Sequence, residues 1–227
     1  MQTQGFHTVA RRSFLAGSAA IAIAALPGCS SMGGFSLVEA VRRLLELSTM
    51  RAFAQLTAPG GFWDSQVARI GLPEIFGRRG GIAQSILTSA LFRDRLQHQL
   101  NLVAERGAER AAPMVTDAVR TIGIGNALAI LRGGPQAATV LLREQMGIAL
   151  IEAMVPALSD ALRIASDPIV AQAIGLLAGV DINGIARSVS EEADNAIWAQ
   201  IGAEEAAIRA NPESTNDPVL IGVFKTL

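Results

Sequence analysis

The amino-acid sequence predicts an all-α fold, a single-domain and irregular helical bundle. Half of the 227 residues are apolar, mostly Ala, Leu and Ile, while aromatics make up 4% and tyrosine is absent. Such side chains favour helices packed through small residues over sheets, which prefer β-branched and aromatic ones. Apolar positions recur at three- and four-residue steps over long stretches, the spacing of one helix face. Gly-Gly and Pro positions separate those stretches, as helix stops and starts do.

The first element is a leader, residues 1–28, with three parts. Arg11 and Arg12 supply the positive charge that stays on the cytoplasmic side. Phe14 to Leu26 is apolar but shorter than the roughly twenty residues a spanning helix needs, so it reads as a signal sequence and not a permanent anchor. Leu26-Pro27-Gly28-Cys29 resembles the lipobox of bacterial lipoproteins, in which the cysteine sulfur receives a diacylglyceryl group, the chain is cut before it, and the new amine is acylated. Cys29 is the sole cysteine, and several acyl chains hold a protein on a membrane where one is marginal. Arg11-Arg12-Ser13-Phe14-Leu15 also resembles a twin-arginine export signal, with Ala10 and Ala16 departing from its flanks. By the same likeness Ser30, where an Asp would favour inner-membrane retention, points to the outer membrane facing the periplasm.

Composition excludes several chemistries. The chain carries a formal net charge of −1, and losing the two leader arginines leaves −3 with both signs interleaved, which is not the footprint of a nucleic-acid binder. With Cys29 on lipid there is no disulfide, thiolate nucleophile or cysteine metal site. Removing His7 with the leader leaves His98 as the one imidazole, so a multi-histidine zinc site within one chain is excluded. No metal, cofactor or catalytic residue is assigned.

The tether, residues 29–35, leads to a domain at 36–227. Ser36-Leu37-Val38-Glu39 is a capping-box pattern opening a helix whose apolar stripe is Leu37, Val41, Leu44, Leu45, Ala52 and Leu56, ended by Pro59-Gly60-Gly61. The stretch 61–73 has no period but holds Phe62, Trp63, Ile70 and Leu72, the pattern of a loop clamped onto the core. Pro73-Glu74 suits a short helix start, and Arg78-Arg79-Gly80-Gly81 an exposed turn, with lipid head groups or cell-wall carboxylates as the alternative contact for its arginines.

A long helix is expected from Ile82 to about Ala112, cut or kinked at Pro113, then a shorter one over Val115 to Ile122. His98 lies among Gln97, Gln99 and Asn101 and reads as a solvated or capping side chain, because no second catalytic group is near it in sequence. After Gly123-Ile124-Gly125 comes a helix at Asn126 to Arg132, then Gly133-Gly134-Pro135, a connector. A phosphate cradle is the weaker reading there, as no Lys-Ser/Thr follows.

Gln136 to Val155 reads as a helix apolar on most sides, hence surrounded by others. Pro156 and Asp167-Pro168 then mark shorter helices. Ser188-Val189-Ser190-Glu191 announces a final long helix with Val189, Ala193, Ile197, Ile201 and Ile208 inward and a Glu205 to Arg209 pair on it. Asn211-Pro212 stops it, and Asp217-Pro218 starts an apolar tail, Val219 to Phe224, that docks on the bundle.

Three segments together resemble the bacterial DUF4197 family: Ile70-Gly71-Leu72-Pro73, the run ALAILRGGPQAAT at 127–139, and EEAAIRANP at 204–212. The resemblance spans the mature chain. It implies a mostly helical envelope protein, frequently with a lipoprotein leader and without an established activity. This chain departs from the family where Pro135 and Gln136 replace acidic residues, Leu141-Leu142 an aromatic pair and Gly123 a capping Thr. Arg143, Glu204, Glu205, Arg209 and Asn211 keep the pattern, as binding residues or, preferably, as helix-to-helix salt bridges and a helix stop.

The function expected is a lipid-anchored, non-catalytic binding protein whose partner is another envelope protein or the cell wall. The alternative is a carrier of an apolar small molecule or lipid in a cavity of the bundle. Carboxylate catalysis by Glu204 and Glu205 is disfavoured, since adjacent helical side chains point about 100° apart.

Overall fold

A computed structural model describes residues 31–32, 35–73, 89–164, 168–176 and 182–227. Ser31–Met32 (β1) and Phe35–Ser36 (β2) pair antiparallel, joining the expected tether to the first residue of the expected domain. A ladder this short has no independent stability, and the fold class remains all-α. Eight α-helices follow among the described residues: α1 Leu37–Leu56, α2 Ala90–Thr121, α3 Ala127–Leu131, α4 Ala137–Met146, α5 Ala149–Ile164, α6 Pro168–Leu176, α7 Ile182–Ala210 and α8 Pro218–Thr226. A short 3-10 turn, Pro212–Thr215, separates the last two.

The core is built by α1, α2, α5 and α7, which pack on one another. On α1 the buried positions Leu37, Val41, Leu44, Leu45, Ala52 and Leu56 are the expected stripe. The Ser36 hydroxyl accepts from the Glu39 amide at 3.3 Å, so the predicted cap forms. Val189, Ala193, Ile197, Ile201 and Ile208 of α7 are buried, as their four-residue spacing requires. α2 and α5 approach closely at Gly107, where a methyl group would meet Leu158 Cδ1 at 2.6 Å and that side chain would have to shift.

The loop after α1 is clamped as expected, with Phe62, Ala68 and Ile70 buried. Its clamp is polar as well as apolar. Asn101 of α2 accepts from the Ile70 amide at 3.0 Å and donates to the Ile70 carbonyl at 3.1 Å, satisfying both backbone groups of one residue. Gln97 donates to the same carbonyl at 2.9 Å.

Three expectations are corrected. Pro113 lies inside α2, which runs unbroken from Ala90 to Thr121 in place of two pieces. Pro113 faces solvent, so water can reach the carbonyl it leaves without a donor, while Ala108, Ala111, Val115 and Val119 on the opposite face bury on both sides of it. The predicted helix 136–155 is two helices, α4 and α5, bent by 71°. The bend follows Gly147, whose φ of +54° glycine adopts freely. α5 then continues through Pro156 to Ile164. Nor is this region enclosed on all sides, since Val140 is 51% and Ile148 62% exposed. Finally, α7 begins at Ile182, so Ser188 to Glu191 is not a helix start; the Ser190 hydroxyl donates to the Ala186 carbonyl at 2.8 Å, a bond made inside a helix.

The tail docks as predicted. Asp217 caps α8 by accepting from the Val219 and Leu220 amides at 2.8 and 3.1 Å, and Arg43 of α1 donates to the same carboxylate at 3.0 Å. Burial works to raise the Asp217 pKa, but the Leu220 and Val219 amides and Arg43 outweigh it and hold the carboxyl below its ordinary value. Val219, Leu220 and Val223 are buried on the bundle.

Several predicted features lie outside the described residues: Arg11, Arg12, Phe14 and Leu15, the segment Leu26 to Cys29, the start at Glu74, the Arg78-Arg79 turn and Asp167.

Candidate functional site

Of the residues singled out in the sequence, Glu205 and Arg209 come together in the most complete arrangement. Glu205 has no solvent exposure, yet every direction around its carboxylate holds a donor. Oε1 accepts from the Ala138 amide at 3.0 Å, and Oε2 from the Thr139 amide at 2.7 Å and the Thr139 hydroxyl at 2.6 Å. Arg209, one turn further along α7, donates to Oε1 at 2.7 and 2.9 Å. The same guanidinium donates to the Leu131 and Ile130 carbonyls at 2.7 and 3.0 Å.

Those partners are the ends of two helices. The first amides of α4 and the last carbonyls of α3 have no partner within their own helices, and the dipoles there favour an anion and a cation respectively. One ion pair on α7 supplies both. The turn Gly133-Gly134-Pro135 thus does precede a helix N-terminus that binds an anion, and the anion is the chain's own Glu205. Gln136 completes the seam by lying over Gly202, where a methyl group would meet its Cδ at 2.8 Å.

Arg143 of α4 makes a second connection to α7, donating to Asp194 at 3.0 Å and to the Asn195 side chain at 2.6 Å. Asp194 also accepts from the Trp198 indole at 2.8 Å. Burial raises its pKa above the ordinary value, opposed by Trp198 and Arg143. Glu204 points elsewhere from Glu205, accepting from Gln200 at 3.4 Å; Gln200 in turn donates to Gln55 of α1 at 2.8 Å. Asn211 contributes its backbone, donating to the Ala207 carbonyl at 3.0 Å at the end of α7. Arg143, Glu205 and Arg209 therefore tie helices together, Asn211 closes one and Glu204 bonds within α7, and Glu204 and Glu205 do not face each other across a substrate-sized gap.

His98 is packed and not simply solvated, since its ring meets Trp63 edge-on with centroids 4.8 Å apart, and the Arg69 guanidinium also stacks over Trp63, 4.4 Å from the ring centroid. Near it, burial pushes the Glu105 carboxyl above its usual range, partly offset by the Phe62 and Gly60 backbone and by His98. Its Oε1 is buried without a hydrogen bond among the described residues. Among those residues no group of three or more His, Cys, Asp or Glu is placed to hold a metal ion.

Sequence reasoning did not find one concave feature of the described residues. It is a cleft of about 550 Å3 between α1 and α2, lined mainly by Met50, Phe53, Ala54, Ala112 and Val119, with Glu46 and Arg120 also on its wall. It is open to solvent and not an enclosed cavity of the bundle. Three threonines line it. Thr57 donates to the Phe53 carbonyl at 2.7 Å and Thr116 to the Ala112 carbonyl at 2.8 Å, the ordinary use of a helical hydroxyl. Thr49 is 3% exposed and its hydroxyl has no hydrogen-bond partner among the described residues. The signal available in sequence was weak, because Thr49 and Phe53 fall on the buried stripe and neither breaks the pattern. A smaller cleft of about 390 Å3 between α2 and α5 is lined by Arg106, Glu109, Arg110 and Asp160 with two alanines.

No described helix is by itself long and apolar enough to cross a membrane, although the bent pair α4 and α5 has the length and composition together. One family model matches residues 31–225, that of a protein of unknown function, DUF4197. No curated protein and no solved structure matches the chain.

Proposed function

The chain belongs to the DUF4197 family, and from that premise we propose that it is a lipid-anchored protein of the bacterial envelope that works by binding and not by catalysis. The observation that carries the reading is how the reactive side chains are used. Glu205, Arg209, Arg143 and Asp194 are engaged in bonds between helices, whereas an open cleft with mainly apolar walls lies between α1 and α2. A group held by three or four protein bonds is a poor acid, base or nucleophile; an apolar cleft of this size is in the range of ligand sites.

The anchor rests on the leader. A processed Cys29 would stand seven residues before Ser36, a span of at most about 25 Å at the reach of an extended chain. The start of α1 would therefore stay close to the bilayer, with Ser30 directing the protein to the outer membrane. Twin-arginine export through Arg11, Arg12, Phe14 and Leu15 would deliver the domain folded.

Fractionation and mass spectrometry test the anchor. Native protein should sit in the membrane fraction with Cys29 as its acylated first residue, and Cys29→Ser should release it; an unmodified thiol with the leader attached overturns the reading. For the binding role, a photo-crosslinker at the exposed Met50 in intact envelopes should label a reproducible partner, another envelope protein or cell-wall material, and repeated absence of any product counts against it. The second reading, a carrier of an apolar small molecule, is favoured by the same cleft and differs in predicting a ligand that co-purifies.

A further inference from the structure

We infer that α8 is a detachable strap, which leaves the bundle as a unit about a hinge at Asn216 while α7 and the seam around Glu205 stay folded. The two sides of the hinge are held differently. Before it, Arg51 of α1 donates to the Ser214 carbonyl at 3.0 Å and fixes the 3-10 turn Pro212–Thr215. After it, the Asp217 carboxylate caps α8. Asn216 stands between them with a φ of +52°, the one non-glycine residue in the left-handed region among the described residues. Asparagine visits that region more readily than most side chains, and positions of this kind at the end of an element absorb changes of backbone direction.

What ties α8 down is small, and its release strands no charge. Its buried side chains are Val219, Leu220 and Val223, and it packs on α1 and the 3-10 turn. Arg43 donates to Asp217, but its Nε also donates to Glu39 on its own helix at 2.9 Å, and that partner stays. Arg209 lies 5.3 Å from the centroid of the Phe224 ring, yet without the ring it keeps Glu205 and the Ile130 and Leu131 carbonyls. Lys225 and Glu213 pair at 2.7 Å with both side chains exposed, where water replaces either partner at little cost. The seam differs, because separating Glu205 from Arg209 leaves a buried carboxylate without its cation.

Once undocked, the nine residues of α8 are too few to hold a helix in water, so release and melting coincide. Release also uncovers the part of α1 that Val219, Leu220 and Val223 cover and opens Arg209 to solvent. The strap is thus a subglobal unit, the low-stability end of an otherwise cooperative bundle.

Native-state hydrogen exchange of the full chain, read residue by residue in rising denaturant, tests this. The amides of residues 221–227, bonded within α8 from Ile221 to Leu227, should exchange together, about tenfold or more faster than the Ala138 and Thr139 amides of the seam, and with a weaker denaturant dependence. Asp217→Ala should speed the α8 group about five- to thirtyfold, the size of a lost cap. Leu220→Asp, which puts a charge beneath the strap, should abolish protection in α8 while Ala138 and Thr139 remain protected. A single rate and a single denaturant dependence for both groups in the unaltered chain, or loss of the whole fold in Leu220→Asp, would show that α8 opens only with the bundle and would overturn the inference.

Discussion

The seam around Glu205 and the cleft around Thr49 are two buried polar sites with opposite accounts. At the seam, donors from α4 and α7 converge on one carboxylate, and the paired guanidinium reaches carbonyls at the end of α3. At the cleft, the buried Thr49 hydroxyl has no partner among the described residues. Charges and helix ends that satisfy one another make architecture. A buried polar group without a partner makes no such bond and destabilises the fold. Residue type alone would rank Glu and Arg as the functional candidates; the bonding pattern reverses that ranking.

The contrast can be broken at either side, and the largest effect belongs to the seam. Glu205→Ala should cost about 3–5 kcal/mol in denaturant unfolding, because it leaves the nearly buried Arg209 uncompensated and the first turn of α4 without its cap. A loss below about 1 kcal/mol would mean that the seam is not structural and would reopen Glu205 as a functional group.

Asp217→Ala should come next, at about 1–2 kcal/mol, through loss of the α8 cap. Because the folded carboxyl is held below its ordinary value, the stability it contributes is present above about pH 4 and is lost as pH falls through the depressed folded pKa. The acid limb of the unfolding midpoint against pH should therefore flatten in this variant.

Thr49→Val should move the other way and stabilise the empty protein by about 0.5–1 kcal/mol, since it removes an unsatisfied buried hydroxyl. Destabilisation would show that a bound water already satisfies the group. The smallest effect is expected at Glu105, where burial raises the carboxyl pKa. The folded state holds that proton more tightly than the unfolded chain, so the penalty is present at neutral pH and relieved as pH falls through the raised value. Glu105→Gln should raise the melting temperature near pH 7 and make no difference below about pH 4.

How much was legible follows from the range of each interaction. The Ser36 cap, the Asp217 cap and the Glu205 to Arg209 pair join residues two to four apart, so local spacing reveals them. The partners that give Glu205 its role stand 66 and 67 residues away, beyond any local pattern. Family likeness grouped ALAILRGGPQAAT with EEAAIRANP without saying that one clamps the other. Ser188 to Glu191 imitates a helix start because a capping box is defined by residue types, and Ser190 used its hydroxyl within the helix instead.

By itself the sequence determined the helical class, the inward face of α1 and α7 and the caps at Ser36 and Asp217, because each follows from side-chain period, backbone restriction or residue chemistry within a few positions. Only the tertiary structure decided that α2 continues through Pro113, that the apolar stretch after Gly134 bends at Gly147, and which buried polar groups are satisfied. Local penalties of about 3 kcal/mol for an interior proline yield to burial on both sides of it. Whether a donor is free depends on every atom that packs around it.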